Sequence, residues 1–188
     1  LGCADRFFPH PIRLLDLVRN ADYYVDFSDP KRIFPTHEMV DFHLDCLFMD
    51  PASVPAQEKV PEIPSHLTGS RRVREAIRGA CPEGGAAVLF AGEASDAIRH
   101  LPPDILLALA SHHPGITFFV PGAKRYSSPG HENIKNLDTS GGLADFATAI
   151  AECDALVSSD SSAYHLAAGV GTPALVFFGP ISSAVRPG

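Results

Sequence analysis

From residue 86 onward, short apolar runs alternate with segments whose apolar residues recur at helical spacing. This alternation is typical of a parallel sheet whose strands are joined by crossover helices, and it predicts an α/β fold. The pattern predicts strands at 86–92, 116–120, 155–159 and 173–178, a short extended segment at 133–137, and helices at 103–112, 143–153 and 162–170. Gly171 follows the last helix, where a left-handed residue commonly ends one.

Composition narrows the classes of partner. The chain has 188 residues and a net charge of −7, with 45% hydrophobic positions. Such a composition is typical of a soluble chain with a hydrophobic core. Its negative net charge does not favour binding to nucleic acid or to an anionic membrane surface, which requires clustered basic residues. No apolar run approaches the ~18 residues of a membrane span. Four cysteines without a CxxC pair argue against a zinc site or a disulfide framework, so a reducing cytoplasm is the expected location.

The first eighty residues are less regular. They suggest helices at 12–19 and 37–49, a strand at 23–27, and a proline-rich linker at 51–64. A basic helix at 70–80 follows, for which a solvated face is favoured over an anion site; its arginines are Arg71, Arg72, Arg74 and Arg78. The chain begins without Met and stops just after a strand-like run, which suggests a piece of a longer polypeptide.

The segment after the 155–159 strand carries the strongest chemical signal. Asp160, Ser161 and Ser162 precede a helix, so backbone N–H groups and the positive end of the helix dipole face the edge where the strand ends. His165 lies in the first turn and adds a donor. These residues predict a phosphate site, with Asp160 expected to cap the helix.

A second interpretation of this segment stays open. Serine and aspartate before a helix are ordinary caps whatever the function, and a lone histidine in a first turn is more often a surface residue than a ligand. Spacing alone leaves the two interpretations balanced.

The stretch Asp160-Ser-Ser-Ala-Tyr-His-Leu-Ala-Ala-Gly-Val-Gly-Thr-Pro173, followed by Phe177-Phe-Gly-Pro180, closely resembles the signature of glycosyltransferase family 9, the ADP-heptose:lipopolysaccharide heptosyltransferases. The resemblance implies a Rossmann-like sheet that forms the carboxyl-terminal, donor-binding half of a GT-B enzyme. Under it, residues 65–188 are the donor domain, incomplete at its carboxyl end. Residues 1–64 are then the remnant of an acceptor-side domain with its linker.

Two upstream loops extend the resemblance. Asn136-Leu-Asp-Thr-Ser-Gly-Gly-Leu143 looks like the family's loop near the nucleotide base, and Phe90 to Pro102 is similar to the loop after the first strand. In the second loop, Arg99 takes the position of a phosphate-facing lysine. The implied donor-binding residues are Gly92, Arg99, Thr139, Ser140, Asp160, Ser161, Ser162, His165, Gly179 and Pro180.

The sequence departs from the family pattern at several positions. Ser162 stands where the family has glycine, Phe90-Ala91-Gly92 replaces His-Pro-Gly, and Leu101 replaces tryptophan. The family's acidic residue after the second strand has no clear counterpart. Lys124 and Arg125 are there instead, and the sequence leaves open whether they face donor phosphates or form a solvated loop.

The resemblance implies transfer of a heptose or similar sugar from a nucleoside-diphosphate donor, expected to be ADP-linked, to a glycan or lipopolysaccharide-core acceptor. Family members are inverting and need neither a metal nor a cofactor. The catalytic base is expected outside this chain, so no catalytic residue is assigned, and the enzyme is expected in the cytoplasm or peripherally at the inner membrane. None of the nine histidines has a metal-ligand spacing, and the NTPase, dinucleotide, zincin and hydrolase motifs are missing.

Two alternatives to the enzyme remain. One is a non-catalytic nucleotide-sugar or phosphate-binding module that kept this half-fold, consistent with Ser162 and the missing His-Pro-Gly. The other is a Rossmann-like domain that serves only assembly.

Overall fold

The computed structural model describes residues 50–59, 62–94, 97–122 and 129–178. By backbone contacts the chain divides into two units, Leu1–Ser53 and Val54–Gly188, and nearly all described residues belong to the second. The helices predicted at 12–19 and 37–49 and the strand at 23–27 lie outside the described residues. The domain boundary predicted between residues 64 and 65 stays a prediction.

Five parallel strands form one sheet in the order β3-β2-β1-β4-β5. The strands are β1 (Ala86–Ala91), β2 (Ile116–Pro121), β3 (Ile134–Leu137), β4 (Ala155–Ser159) and β5 (Ala174–Phe177). The helices are α1 (Arg71–Ala80), α2 (Pro103–His112), α3 (Leu143–Glu152) and α4 (Ser162–Val170). This α/β, Rossmann-like arrangement confirms the predicted fold class, with element bounds within two residues of the sequence pattern.

The two faces of the sheet have separate cores because successive strand residues point to opposite sides. On one face, α1, α3 and α4 cover Leu89, Phe119 and Leu156. On the other, α2 packs through Leu106 and Ala110 against neighbouring strand residues. Burial on both sides explains why β1 is a continuous apolar run and why β2 is apolar apart from Thr117. Over β5 the second face is more open, with Leu175 and Phe177 54% and 40% exposed.

Helix α4 is ended by a left-handed glycine and begins after a serine cap. Gly171 adopts φ +78°, and the amides of Gly171 and Thr172 donate to carbonyls of the last turn, so the predicted left-handed end of this helix is confirmed. At the start, Ser161 is the cap residue, with extended backbone and a side chain that accepts from the Ala163 amide at 3.4 Å.

The proline-rich segment contains short 3-10 turns at Pro51–Ser53 and Ala56–Glu58. Near the end of this segment, the Ile63 amide donates to the Gly169 carbonyl of α4 at 3.1 Å. The end of the proline-rich segment is therefore hydrogen-bonded to α4. In the described part of the chain, no helix combines the length and the apolar character needed to cross a bilayer.

The solvated-face interpretation of α1 holds for only part of the helix. Arg71 is exposed and pairs with Glu75 one turn along. Arg72 instead forms ion pairs with Asp138 and Asp145, and Arg74 with Glu152 at 2.6 Å. Because α1 packs beside α3, acidic side chains on and before α3 come within reach of this basic face.

Candidate functional site: a cleft at the start of helix α4

The turn from β4 into α4 brings the predicted phosphate-binding residues to the carboxyl edge of the sheet. Ser161 caps the helix and Ser162 opens it. Amides of a first helical turn have no acceptor within the helix, and together with the dipole they favour an anion. The first turn of α4, all of it described, contains no acidic side chain. This turn therefore offers hydrogen-bond donors without a carboxylate of its own to neutralise them.

The predicted capping role of Asp160 is wrong. The helix begins at Ser162, so the cap position falls on Ser161, whose side chain accepts from the Ala163 amide. Its side chain is only 1% exposed and lies 3.8 Å from the Arg99 guanidinium, measured from Oδ2 to Nη1. Arg99 Nη1 also donates to the Asp160 carbonyl at 2.9 Å. Asp160 thus contacts the Arg99 guanidinium through both its carbonyl and its carboxylate.

Arg99 reaches this turn from the loop after β1. It ends a short 3-10 turn, Ala97–Arg99, and its side chain is 20% exposed. The loop is anchored where the Leu101 amide donates to the Gly92 carbonyl at 2.8 Å. A Cβ at Gly92 would lie 2.6 Å from the buried Phe90 ring, so the close packing under this loop requires glycine.

A cleft of about 440 Å³ joins these pieces. Its described lining residues are Glu93, Ala94, Arg99, Phe146, Ser161, Ser162, Ala163 and His165. The structure therefore brings together in one cleft four of the residues predicted to bind a donor, Arg99, Ser161, Ser162 and His165; that they bind one stays a prediction. The His165 ring packs on Tyr164 with centroids 3.9 Å apart, which restricts its orientation at the edge of the cleft.

Thr139 and Ser140 are not among the residues that line this cleft. They follow β3, which is separated from β1 by β2, in a loop where the Ser140 amide donates to Asp138 at 2.9 Å. Their predicted contact with a donor stays a prediction. Gly179, Pro180, Lys124 and Arg125 lie outside the described residues.

Sequence reasoning missed two lining residues. Phe146 lies within the helix predicted at 143–153, where apolar spacing indicates only a packed helix face, yet it is half-buried and lines the cleft. Glu93 lies in the Phe90–Pro102 loop, but an acidic residue is not expected beside a phosphate. The signal for Phe146 was its place in the first turn of α3, at the same sheet edge as the start of α4.

The β3–α3 turn is held by carboxylates from the chain itself. Asp145 is 6% exposed and accepts from the Ser70 hydroxyl at 2.6 Å and the Gly141 amide at 2.7 Å, and it also pairs with Arg72. The Ser70 hydrogen bond above all, with Gly141 and Arg72, lowers the pKa of Asp145 below its ordinary value. The Ser140 amide does the same for the pKa of Asp138.

Metal-ligating side chains and thiols are two further kinds of reactive group within the described residues. Among the described residues, no group of three or more histidine, cysteine, aspartate or glutamate side chains is placed to hold a metal ion. Burial raises the pKa of Cys153 to about 12, so its thiol stays protonated at neutral pH.

Comparison with known proteins agrees with the sequence resemblance. Residues 123–187 match the family model of glycosyltransferase family 9 (heptosyltransferase). A search of curated proteins gives no match. Among solved structures, a glycosyltransferase family 9 protein from Veillonella parvula superposes with a TM-score of 0.55 at 14% identity, covering 88% of this chain and 50% of that one.

ADP-heptose lipopolysaccharide heptosyltransferase II from Escherichia coli superposes with a TM-score of 0.53 at 16% identity, covering 79% of this chain and 51% of that one. The chain thus spans about half the length of these two structures, and at such identities they show a shared fold. Residues 123–187, which contain the whole β4–α4 turn, carry the sequence features of glycosyltransferase family 9 on an α/β fold that solved structures of that family share.

Proposed function

We propose that this chain is the donor-binding part of a glycosyltransferase. The donor is a nucleoside-diphosphate sugar, expected to be ADP-linked and to carry a heptose or similar sugar, and the acceptor is a glycan or lipopolysaccharide core. One observation carries the proposal. The first turn of α4, within the stretch matched by the family model, lines a cleft together with Arg99 and His165.

The hydrogen-bond donors and the positive charge that line this cleft suit a diphosphate leaving group. A deprotonated acceptor hydroxyl attacks the anomeric carbon, its oxygen forms the new bond, and the bond from that carbon to the phosphate oxygen breaks with inversion. Negative charge then develops on the departing diphosphate. Amides at the start of α4, the Ser161 and Ser162 hydroxyls, His165 and the Arg99 guanidinium stabilise that charge, the electrostatic contribution that is usually largest in catalysis. Fixed donors and a cation supply this stabilisation without a metal ion.

Asp160 acts on Arg99 rather than on the donor. Its carbonyl accepts from Nη1 and its carboxylate lies 3.8 Å away, so the guanidinium is held against the turn. The catalytic base and the acceptor site are expected outside this chain. We place the reaction in the cytoplasm, with peripheral association at the inner membrane where the acceptor is lipid-linked.

A second candidate is a binding module without turnover. Ser162 is exposed and lines the cleft at the position where the family pattern has glycine. Its side chain occupies space that a glycine would leave for a phosphate. A nucleotide sugar would then bind in a shifted position, which favours binding without turnover. Sugar release from a bound donor in the presence of acceptor distinguishes an enzyme from such a module.

Calorimetric titration of the 188-residue chain with ADP, UDP, GDP and CDP tests the site. We expect one nucleotide to bind selectively. Arg99→Gln and His165→Ala should each weaken it about tenfold or more, because hydrogen bonds that involve charged groups contribute about 1.5–3 kcal/mol. Arg71→Gln is the matched control, since this arginine is 86% exposed and pairs with Glu75 on the same helix.

Equal affinity in Arg99→Gln, His165→Ala and wild type would exclude the α4 cleft as the donor site. Absence of binding for every nucleotide at millimolar concentration would exclude donor binding by this chain.

A further inference from the structure

Two residues link the cleft at α4 to a second, smaller cavity. This cavity measures about 100 Å³ and is lined by Phe90, Ala91, Gly92, Glu93, Val120, Pro121 and Phe146. Glu93 and Phe146 line both spaces. They therefore stand where the cleft continues from the start of α4 toward the end of β2.

The chemistry of Glu93 differs from that of its neighbours. Arg99, Ser161 and His165 offer donors or positive charge, whereas Glu93 is the one carboxylate among the described residues that line the larger cleft. An ionised carboxylate accepts hydrogen bonds and donates none, and it repels a phosphate. A ligand that places its phosphates at α4 is therefore expected to turn hydrogen-bond donors, such as hydroxyl groups, toward Glu93.

Phe146 supplies an apolar surface at the same place. Its ring is half-buried against the core that α1, α3 and α4 form on the sheet. An aromatic ring beside a hydroxyl acceptor suits a ligand ring that has polar edges and a C–H face. Aromatic side chains contribute contact area at small cost in side-chain entropy.

Hydrogen bonds hold the backbone around Phe146 in place. Its amide donates to the Gly142 carbonyl at 3.1 Å, and its neighbour Asp145 accepts from Ser70 and from Gly141. The first turn of α3 is thus tied both to the preceding loop and to the start of α1. Such preorganisation lowers the entropy that binding would otherwise cost.

We infer that Glu93 and Phe146 form a subsite for a hydroxyl-bearing sugar ring attached to the phosphates bound at α4, with Glu93 accepting hydroxyls and Phe146 packing on the ring. This inference rests on the proposed function. The sugar ring has two sources, the ribose of the nucleotide and the transferred sugar.

Four probes separate these possibilities in calorimetric titrations of the full 188-residue chain: inorganic pyrophosphate, ADP, dideoxy-ADP without ribose hydroxyls, and ADP-glucose. Glu93→Gln and Phe146→Leu are compared with wild type. Glu83→Gln serves as the first control, because Glu83 is exposed in the turn before β1, at the opposite edge of the sheet. Leu143→Ala serves as the second, because Leu143 is 56% exposed in the first turn of α3 and does not line the cleft.

We expect both site variants to leave pyrophosphate affinity within about twofold and to weaken ADP or ADP-glucose about tenfold or more. If Glu93→Gln weakens ADP but not dideoxy-ADP, the ring is ribose. If it spares ADP and weakens only ADP-glucose, the ring is the transferred sugar.

Equal weakening of pyrophosphate, ADP and ADP-glucose by the site variants, or no weakening of any, would overturn the subsite while leaving the phosphate site intact. Failure of wild type to bind any of the four probes would instead remove the proposed function and the subsite with it.

Discussion

Two strand-to-helix turns at the same edge of the sheet are built in opposite ways. The β3–α3 turn, residues 138–142, is surrounded by carboxylates of the chain, since Asp138 and Asp145 accept its amides and pair with Arg72. The β4–α4 turn has a serine cap, no acidic residue in the first helical turn, and a cleft beside it. The β3–α3 turn is thus neutralised by carboxylates of the chain itself, whereas the β4–α4 turn directs its hydrogen-bond donors to the cleft.

The difference teaches how to tell a structural helix start from a candidate anion site. Every helix start carries unpaired amides and a positive dipole end, so neither feature discriminates. What separates α3 from α4 is whether the chain supplies its own anion. Asp145 places a carboxylate in the first turn of α3, whereas the first turn of α4 has none; the carboxylates near it, Glu93 and Asp160, belong to the loop after β1 and to the residue before the cap.

The largest expected effect comes from giving α4 the anion that α3 already has. Ser162→Asp places a carboxylate in the exposed first position of α4, where it interacts favourably with the helix dipole by about 0.3–1 kcal/mol. Two like charges about 4 Å apart repel by about 4 kcal/mol at an effective dielectric constant of 20, and solvent screening leaves roughly half of that. We therefore expect nucleotide affinity to fall about 30-fold while the melting temperature stays equal or rises.

Calorimetry and thermal unfolding of Ser162→Asp measure these two quantities. Ala151→Asp is the control, because it adds the same charge to an exposed position in the last turn of α3 and should leave affinity unchanged. If Ser162→Asp binds nucleotide as wild type does, the two turns do not differ in the way proposed.

The second prediction concerns the internally neutralised turn. A Cβ at Gly141 would overlap the Asp145 carboxylate, which is buried and held by three groups. Overpacking of this kind costs about 1–3 kcal/mol. We expect Gly141→Ala to lower the free energy of unfolding by this amount in urea titrations. Gly79→Ala should raise it by about 0.5–1 kcal/mol, because Gly79 is exposed within α1 and nothing lies within 4 Å of its added Cβ.

How far the sequence predicts each turn depends on how local its chemistry is. Within the described residues, the strands and helices from residue 70 onward and the Gly171 end of α4 follow from the apolar period and from one residue's backbone preference, and these were predicted correctly. The role of Asp160 was predicted wrongly, because a shift of one residue moves the cap to Ser161.

Contacts between residues far apart in the chain could not be predicted from the sequence. Asp145 meets Ser70 across 75 positions of the chain, and Arg99 meets Asp160 across 61. Neither pairing has a spacing signal. The place of Phe146 in the cleft was not predicted for a related reason. One side of its ring can pack on the core while the other lines the cleft, and apolar periodicity predicts only the packing.

The third prediction uses the lowered pKa of Asp145. A carboxylate with a depressed pKa in the folded state contributes stability that is fully present above its ordinary value of 3.8 and is lost as pH falls through the depressed value. Asp145→Asn removes that dependence. We expect the urea midpoint of wild type to drop more steeply than that of Asp145→Asn below about pH 4, although the variant is less stable at neutral pH. Parallel pH profiles would argue against this carboxylate as the anion of the β3–α3 turn.

The smallest expected effect comes from the cap itself. Ser161→Ala removes the side-chain bond to the Ala163 amide, and because that bond is long at 3.4 Å, the cost should lie at the low end of the usual range, about 0.5–1 kcal/mol. The same variant removes one hydroxyl from the cleft, so nucleotide affinity should fall only a few-fold, less than in Arg99→Gln. Ser70→Ala, a change of the same size at the start of α1, deprives Asp145 of a hydrogen bond but leaves the cleft intact. We expect it to lower stability with unchanged affinity, because Ser70 does not line the cleft, whereas the β4–α4 turn does.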